Sequence, residues 1–153
     1  MTGIKLAADC MVGGLAKWLR LLGLDTVFLA RGPFPPDPER ILLTRRTQRA
    51  HQPRLEGWQK VVRLSANDTF SLLAETLRAL NLGREDLRPL SRCSVCNELL
   101  RPARPREVHE RAPIYVQAAH EEFSLCPGCG RLYWPGTHFQ RMMAVIETLP
   151  SAG

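Results

Sequence analysis

The sequence lacks the features that mark membrane, exported and repeat proteins. No stretch approaches the roughly 18 consecutive apolar residues that a membrane-spanning helix requires. The first residues, MTGIKLAADCMVGGLAKWL, do not follow the charged, apolar and small-residue order of a signal peptide, and no internal repeat or low-complexity segment is present. These absences predict a globular protein with a cytoplasmic location and no membrane partner.

Acidic residues are scarce in one part of the chain. The 153 residues include 21 Lys and Arg against 15 Asp and Glu, which gives a net charge of +6. Between residues 40 and 63, seven basic side chains accompany a single acid, Glu56, whereas residues 91–153 hold seven arginines and six acids. A solvated charged face is one interpretation. The clustering of arginines, whose planar group suits phosphate, favours contact with nucleic acid.

Short apolar segments alternate with amphipathic helices in the first part of the chain. Gly23 is the expected end of the first helix. The alternation predicts an α/β fold with a small, mostly parallel sheet and flanking helices. Hydrophobic periodicity places strands at residues 4–8, 26–30, 40–44 and 60–64, and helices at residues 11–22 and after Asn67 or Asp68.

The character of the sequence changes after Pro89. Cysteines occur in pairs, prolines are frequent, and segments such as PIYVQ (residues 113–117) resemble strands more than helices. We therefore predict two domains, an α/β domain over residues 1–90 and a second domain over residues 91–150.

Four of the five cysteines form two C-x-x-C pairs, CSVC and CPGC, with 29 residues between them. In a chain without a secretion signal, such pairs bind zinc more often than they form disulfides, and the alternatives are a redox dithiol or unliganded cysteines. Asn97 and Gly130 follow the pairs and tolerate the left-handed turn of a metal knuckle. Because four thiolates leave no position for water, the predicted Zn²⁺ is structural. Its predicted ligands are Cys93, Cys96, Cys126 and Cys129.

Carboxylates at strand ends are candidates for a second metal site. Asp9 ends the first strand and Asp68 follows the fourth, and the carboxyl ends of parallel strands gather at one edge of a sheet. Two such acids would hold Mg²⁺ or Mn²⁺ and activate water against a phosphodiester. The alternative is that both only cap the helices they precede, which we favour for Asp68 taken alone.

Basic and aromatic side chains complete a candidate RNA-binding surface. Gly13 and Gly14 at a helix start would let a phosphate approach, but MVGGLAK is not a phosphate loop, and close packing explains the glycines equally well. Trp134 can stack a base, although pinning the zinc module to its neighbour is the more common role. The predicted RNA-binding residues are Lys17, Arg20, Arg45, Arg46, Arg49 and Trp134.

Four motifs, taken in order, resemble the Mut-seven C-terminal ribonuclease-like domain family. They are DCMVGGLAKWLRLLGLDT, RILLTR, SRCSVCNELL and CPGCGRLYWPGTHFQRM, and they cover nearly the whole chain. The resemblance implies a PIN-like nuclease fold with a C-terminal zinc ribbon, in a metal-dependent ribonuclease fold that acts on RNA. Asp9 matches the family's first acid, and the four paired cysteines match its zinc ligands.

The sequence departs from this family at two places. The family's third strand ends in LLTRD, whereas here LLTRR puts Arg46 in the position of an acid. The family also has an acid-bearing helix between its second and third strands, where this chain has only RGPFPPDPE, with Asp37 as a candidate remnant. Two carboxylates can hold one Mg²⁺ but scarcely a pair of ions. Arg46 opposes cation binding and suits a phosphate.

The resemblance and the departures together predict an RNA-binding protein in which catalysis is weakened or lost. One alternative is an active ribonuclease that uses one Mg²⁺ or Mn²⁺ at Asp9 and Asp68. Another is a protein-interaction module whose basic face binds an acidic protein surface or a ribosomal component. The expected partner is RNA, alone or within the ribosome or another RNA–protein complex.

Overall fold

The main sheet has four parallel strands in the order β2-β1-β3-β4. The computed structural model describes residues 3–30, 34–45 and 56–149. β1 pairs with both β2 and β3, so the sheet grows first to one side of β1 and then to the other. In doubly wound sheets, ligands bind at such a switch point, beside the carboxyl ends of the strands. The strands are β1 (Lys5–Asp9), β2 (Asp25–Leu29), β3 (Ile41–Thr44) and β4 (Lys60–Arg63).

Two helices, α1 (Leu15–Leu21) and α2 (Thr69–Ala79), pack their leucines against one face of this sheet. The prediction that α1 ends at Gly23 is confirmed, because Gly23 has φ +90° and donates its N–H to the carbonyl of Arg20. Leu24 donates to Leu19 in the same turn, which completes a Schellman motif. The α/β class and the parallel sheet predicted from the sequence are therefore confirmed.

The predicted start of the first helix at Met11 is wrong. Asp9 accepts the N–H of Met11 at 2.9 Å and caps a separate 3-10 turn, Cys10–Val12, before α1 begins at Leu15. The turn keeps the end of β1 apart from the helix, so Asp9 stays at the edge of the sheet.

The second part of the chain contains a small antiparallel sheet in the order β5-β6-β7. Two short helices, α3 (Pro105–Arg111) and α4 (Ile114–Ala119), lie in sequence between its first two strands. The strands are β5 (Arg101–Pro102), β6 (Ser124–Leu125) and β7 (Leu132–Tyr133).

The strand expected at PIYVQ is wrong, because this segment forms α4. A strand would place Ile114 and Val116 on the same face, yet Val116 is buried while Ile114 is 85% exposed. Pro113 precedes the helix, where its missing N–H and fixed φ are tolerated. β-branched and aromatic residues favour a strand here, but this preference is weak in so short a segment, and the burial of Val116 overrides it.

The last helix, α5 (Thr137–Glu147), packs into the hydrophobic core that α1 and α2 form with the parallel sheet, called here the first core. Met142 and Ile146 are fully buried among residues of α1, α2 and the parallel sheet. The domain division at residue 90 stays a prediction. The contacts of α5 show that a helix from the end of the chain packs against the residues before position 90. Within the described residues, no helix combines the length and apolar character needed to cross a membrane.

Candidate functional site

The four paired cysteines converge on one point. Their Sγ atoms all lie within 4.8 Å of one another, with Cys96 and Cys126 at 3.2 Å and Cys93 and Cys129 at 3.6 Å. Four sulfurs around a zinc ion, at bonds of about 2.3 Å, stand roughly 3.8 Å apart, so the observed spacing fits such an ion. The cluster can therefore hold a metal ion, with Zn²⁺ the natural choice for four thiolates.

Each C-x-x-C pair forms the same tight turn. Asn97 and Gly130 have φ +69° and +77°, which confirms that the residue after each pair adopts the left-handed conformation. Their N–H groups donate to the carbonyls of Cys93 and Cys126, at 3.1 and 2.9 Å. Backbone N–H groups also point at the sulfurs, as from Cys129 to the Sγ of Cys126 at 3.5 Å. These donors stabilise thiolates rather than neutral thiols.

The hydroxyl of Tyr133 lies beside this cluster, 3.0 Å from the Sγ of Cys93. Burial raises the pKa of the Cys93 thiol, but hydrogen bonds from Tyr133 and from backbone N–H groups more than offset it and lower the pKa to about 6. The same hydroxyl accepts the N–H of Ser94 at 3.0 Å. Tyr133 therefore stabilises the turn at residues 93–97, the first knuckle, and favours the ionised sulfur of Cys93.

The first knuckle is tied directly to the parallel sheet. Arg20 of α1 donates from Nη1 to the carbonyls of Ser94 and Val95, at 2.9 and 3.1 Å, and from Nε to the carbonyl of Thr26 at 2.8 Å. Asn97 accepts the N–H of Thr26 at 3.1 Å. The RNA contact expected of Arg20 stays a prediction. The hydrogen bonds that the structure describes for Arg20 go to main-chain carbonyls on both parts of the chain and join these parts.

The amide of Asn97 also reaches Asp25, donating from Nδ2 to Oδ1 at 2.8 Å. Burial raises the pKa of Asp25, but hydrogen bonds from Asn97 and Arg40 outweigh it and leave the pKa below its ordinary value. Asp25 is therefore held as a carboxylate at this junction.

Asp9 lies at the switch point of the parallel sheet. It is 5% exposed, its Oδ1 accepts the N–H of Met11, and its Oδ2 accepts the hydroxyl of Thr44. Thr44 is fully buried at the carboxyl end of β3, next to β1 in the sheet. Both carboxylate oxygens therefore already accept hydrogen bonds, and a bound cation would have to share them.

The segment after β1 adjoins the start of α2. A Cβ placed on Gly14 would stand 2.9 Å from Oγ1 of Thr69, so close packing accounts for this glycine. Asp68 caps α2 by accepting the N–H of Ser71 at 2.9 Å, and it is exposed. The catalytic roles expected of Asp9 and Asp68 stay predictions, but both residues lie at the carboxyl edge of the sheet.

Asp37 lies at the other edge. Its Oδ1 accepts the N–H of Glu39 at 2.9 Å, and it pairs with Arg40, the residue before β3. Because β1 and β3 are parallel, the start of β3 is a strand length away from Asp9. Asp37 therefore cannot replace an acid of the Asp9 site.

Two more of the basic residues expected to bind RNA, Arg45 and Lys17, lie at different places in the α/β part. Arg45, after β3, donates from Nη2 to Oδ1 of Asn67 at 2.8 Å. Lys17 is exposed on α1, with its Nζ 5.3 Å from the Trp18 ring. Arg46 and Arg49 lie outside the described residues.

Trp134 contacts Phe123 within the second part of the chain, with ring centroids 6.1 Å apart. It also lines a groove against α1, beside Trp18. Its RNA contact stays a prediction, and this position is compatible with both of the roles weighed from the sequence.

Sequence reasoning missed three partners. Thr44 binds Asp9, Tyr133 binds Cys93, and the Asn97 amide binds β2. Thr44 could have been suspected, because it ends the third strand beside the first. Asn97 was noticed for its backbone conformation, and nothing in the sequence indicated that its side chain reaches a residue 71 positions away.

The fold and the two sites define a class of α/β protein with a strand-end aspartate and an appended cysteine metal module. The chain belongs to the Mut7-C RNAse domain family, whose model matches residues 4–146, and the resemblance stated from the motifs is confirmed. This family suggests a ribonuclease-like or RNA-related role. Neither the curated proteins nor the solved structures contain a match to the chain.

Proposed function

We propose that this protein binds RNA at the carboxyl edge of its parallel sheet, and that its metal-dependent cleavage is weakened or lost. The observation that carries the proposal is the state of Asp9, whose two oxygens accept hydrogen bonds from Met11 and Thr44. Among residues 3–30, 34–45 and 56–149, the four cysteines are the only group of three or more His, Cys, Asp or Glu side chains that could share a metal ion.

A hard cation such as Mg²⁺ needs oxygen ligands and keeps much of its water. Asp9 could supply one ligand only by sharing an oxygen with Thr44 or Met11, and Asp68 uses Oδ1 to cap α2. In the sequence, Arg46 stands where the family has its next acid, so this position supplies a positive charge in place of a carboxylate ligand. Each of these features weakens a cation site, while the arginine strengthens a phosphate site.

In this proposal, RNA phosphates contact the arginines that follow β3, namely Arg45, Arg46 and Arg49. Arginine forks bind phosphate oxygens in pairs and carry little sequence information. The zinc is structural, because four cysteine ligands close its coordination sphere. The proposed setting is the cytoplasm, with RNA as the partner, free or within a ribosome or another RNA–protein complex.

A working ribonuclease with one metal is the alternative. The placement of Asp9 and Asp68 at the same edge of the sheet favours it, because one Mg²⁺ often takes no more than two carboxylates from a protein. Such an enzyme would hold one Mg²⁺ or Mn²⁺ near Asp9 and activate water there.

Salt dependence tests the RNA-binding claim. The dissociation constant of a labelled single-stranded RNA should be measured across a range of KCl in buffer without Mg²⁺, a medium that leaves the cysteine site loaded. The logarithm of affinity should fall linearly with the logarithm of salt concentration, since phosphate contacts release counterions. Absence of RNA binding at low salt, with polyglutamate bound instead, would favour a protein-interaction module and refute the proposal.

A further inference from the structure

A groove of about 460 Å³ lies between α1 and the part of the chain that carries the four paired cysteines, called here the cysteine module. Its walls come from α1, from the first cysteine knuckle and from the segment that joins β7 to α5. This volume lies within the usual range for small-ligand sites. The groove involves neither Asp9 nor the four cysteine sulfurs, so the sites described above do not account for it.

Aromatic side chains line two walls of this groove. Trp18 belongs to α1 and is backed by Phe70, with ring centroids 5.7 Å apart. Trp134 stands on the module side and is backed by Phe123. Val95, at the tip of the first knuckle, adds an exposed apolar side chain. Rings that are held from behind and remain half-buried give stacking surfaces at little cost in conformational entropy.

Every formal charge on the described lining residues is positive. Lys17 of α1 and Arg131 of the cysteine module both line the groove and are exposed, as is His138, and the lining includes neither Asp nor Glu. A larger groove of about 690 Å³ beside α3 and α4 contains Glu121 and Glu122. Of these two grooves, the one at α1 suits an anion, and its combination of rings and cations suits a base joined to phosphates.

We infer that this groove holds a nucleotide of a single-stranded RNA, with its base against Trp134 and its flanking phosphates on Lys17 and Arg131. The inference rests on the proposed function and adds a second contact region to it. α1 connects the two regions, since it begins beside Thr69 at the carboxyl edge of the sheet and carries Lys17 and Trp18 into the groove. Seven helical residues span roughly 10 Å, so one strand of RNA reaches both regions.

Two other ligands have less support. A free nucleotide would need a more enclosed site than a groove open along its length, and its affinity would not depend on neighbouring phosphates. An acidic peptide would satisfy Lys17 and Arg131 but would place no base against the ring of Trp134.

The test combines changes in the protein with changes in the RNA. The full zinc-loaded chain should be titrated with a 12-nucleotide single-stranded RNA and with the same RNA carrying abasic positions. Removing bases should weaken binding to the wild type by roughly 5- to 150-fold, which is the range for one stacked base. Trp134→Ala should weaken the intact RNA by a similar factor and should abolish the difference between intact and abasic RNA.

Two further variants separate stacking from folding. Trp134→Phe keeps an aromatic ring against Phe123 and should retain most of the abasic effect. Lys17→Ala combined with Arg131→Ala changes two exposed cations and should weaken intact and abasic RNA alike. Tyr115→Ala, on the exposed face of α4, is the matched aromatic control and should bind as the wild type does. Zinc content and circular dichroism should be unchanged in every variant.

The outcomes distinguish this inference from the proposed function. If the groove variants bind RNA normally while changes at Arg45, Arg46 and Arg49 abolish binding, the groove is not an RNA site and the proposed function stands. If the wild type binds no RNA, both fail. Binding of free AMP or UMP as tight as that of the 12-mer, or binding of polyglutamate lost in the Lys17/Arg131 variant, would overturn the inference by giving the groove to another ligand.

Discussion

Asn97, the residue after the first cysteine pair, holds the outer edge of the parallel sheet. Its Oδ1 accepts the N–H of Thr26 at 3.1 Å, and Thr26 belongs to β2, the strand at the end of the sheet order. The carbonyl of Thr26 accepts Nε of Arg20 on the same side. The knuckle conformation that a metal stabilises is therefore also the one that covers the open edge of β2.

Loss of the metal should reach the parallel sheet. Purified protein should contain about one zinc ion per chain, and Cys93→Ser or Cys126→Ser should remove it and unfold the region from residue 91 to about residue 136. Because Asn97 then leaves Thr26, amide exchange should also rise in β2. α5 should keep its protection, since Met142 and Ile146 lie in the first core. Elemental analysis and hydrogen exchange by mass spectrometry measure all three effects.

Cys10→Ser is the matched control for this experiment. Cys10 is exposed and lies in the 3-10 turn after β1, away from the four paired cysteines. Its replacement should change neither the zinc content nor the exchange of β2. A metal-free chain that is folded throughout, or a Cys93→Ser variant with β2 fully protected, would contradict the coupling.

The stability supplied by the contact between Asn97 and β2 should depend on pH when Asn97 is changed to Asp. Asn97→Gly keeps the left-handed turn and removes two hydrogen bonds, so the free energy of unfolding should fall by about 1–3 kcal/mol, mainly from the unpaired N–H of buried Thr26. Asn97→Asp should cost more at pH 8, because a second carboxylate then faces Asp25. Urea unfolding of the zinc-loaded protein provides the measurement.

The sign of this pH dependence follows from Asp25. In the wild type its pKa lies below the ordinary 3.8, so its contribution to stability is complete above that value and is lost only as the pH falls further. In Asn97→Asp the two facing carboxylates repel each other, which raises the pKa of this pair instead. The loss in free energy of unfolding of this variant, relative to the wild type, should therefore shrink from pH 8 to pH 5. The difference between wild type and Asn97→Gly should stay constant over the same range. An Asn97→Asp deficit that does not change with pH would show that the carboxylates do not interact.

Local patterns predicted the elements of the α/β part well. The strands, the capping of α2 by Asp68 and the end of α1 at Gly23 depend on neighbours within a few residues, and periodicity and capping rules describe such neighbours. The same holds for the two knuckles, whose spacing and left-handed residues are written in the sequence. The site at Asp9 was predicted by topology alone, because parallel strands bring their carboxyl ends together.

Contacts between distant residues could not be predicted in this way. The hydrogen bonds that Thr44 donates to Asp9 and Thr26 donates to Asn97 join residues 35 and 71 positions apart, and no periodic pattern encodes them. The return of α5 to the first core is of the same kind. The error at PIYVQ has another cause, since the helix and strand preferences of so short a segment are nearly equal and burial decides between them.

The arginines after β3 should carry most of the salt dependence of RNA binding. Replacing Arg45, Arg46 and Arg49 with Ala should weaken many single-stranded RNAs alike and should flatten the salt slope, because phosphate contacts are lost. Fluorescence anisotropy over a KCl series provides both numbers.

The matched control removes the same charge from elsewhere. Arg78 and Arg84 lie at and beyond the end of α2, far from the edge where that helix begins, and Arg106 is exposed on α3. Changing these three to Ala should alter affinity and salt slope much less. Equal effects from both triple variants would mean that net charge, rather than a site after β3, attracts the RNA.

Arg46→Asp should increase the affinity of the Asp9 site for Mn²⁺. The substitution removes a repelling charge and adds an oxygen ligand of the kind that the family has at this position. Calorimetric titration of the zinc-loaded protein with Mn²⁺ measures the change. Arg49→Asp makes the same change in charge three residues later, and tighter Mn²⁺ binding in both variants alike would argue against a specific role for Arg46.

The most direct test of the account is whether the wild-type protein cleaves the RNA that it binds. Labelled single-stranded RNA should be incubated with saturating protein and Mn²⁺ or Mg²⁺, and the products separated on a denaturing gel. The account predicts bound RNA that stays largely intact. Robust cleavage that is abolished by Asp9→Asn would contradict it and establish the one-metal enzyme, provided that Asp37→Asn retains full activity. Asp37 is the matched control because it too accepts the N–H of the second residue after it, at the opposite edge of the sheet.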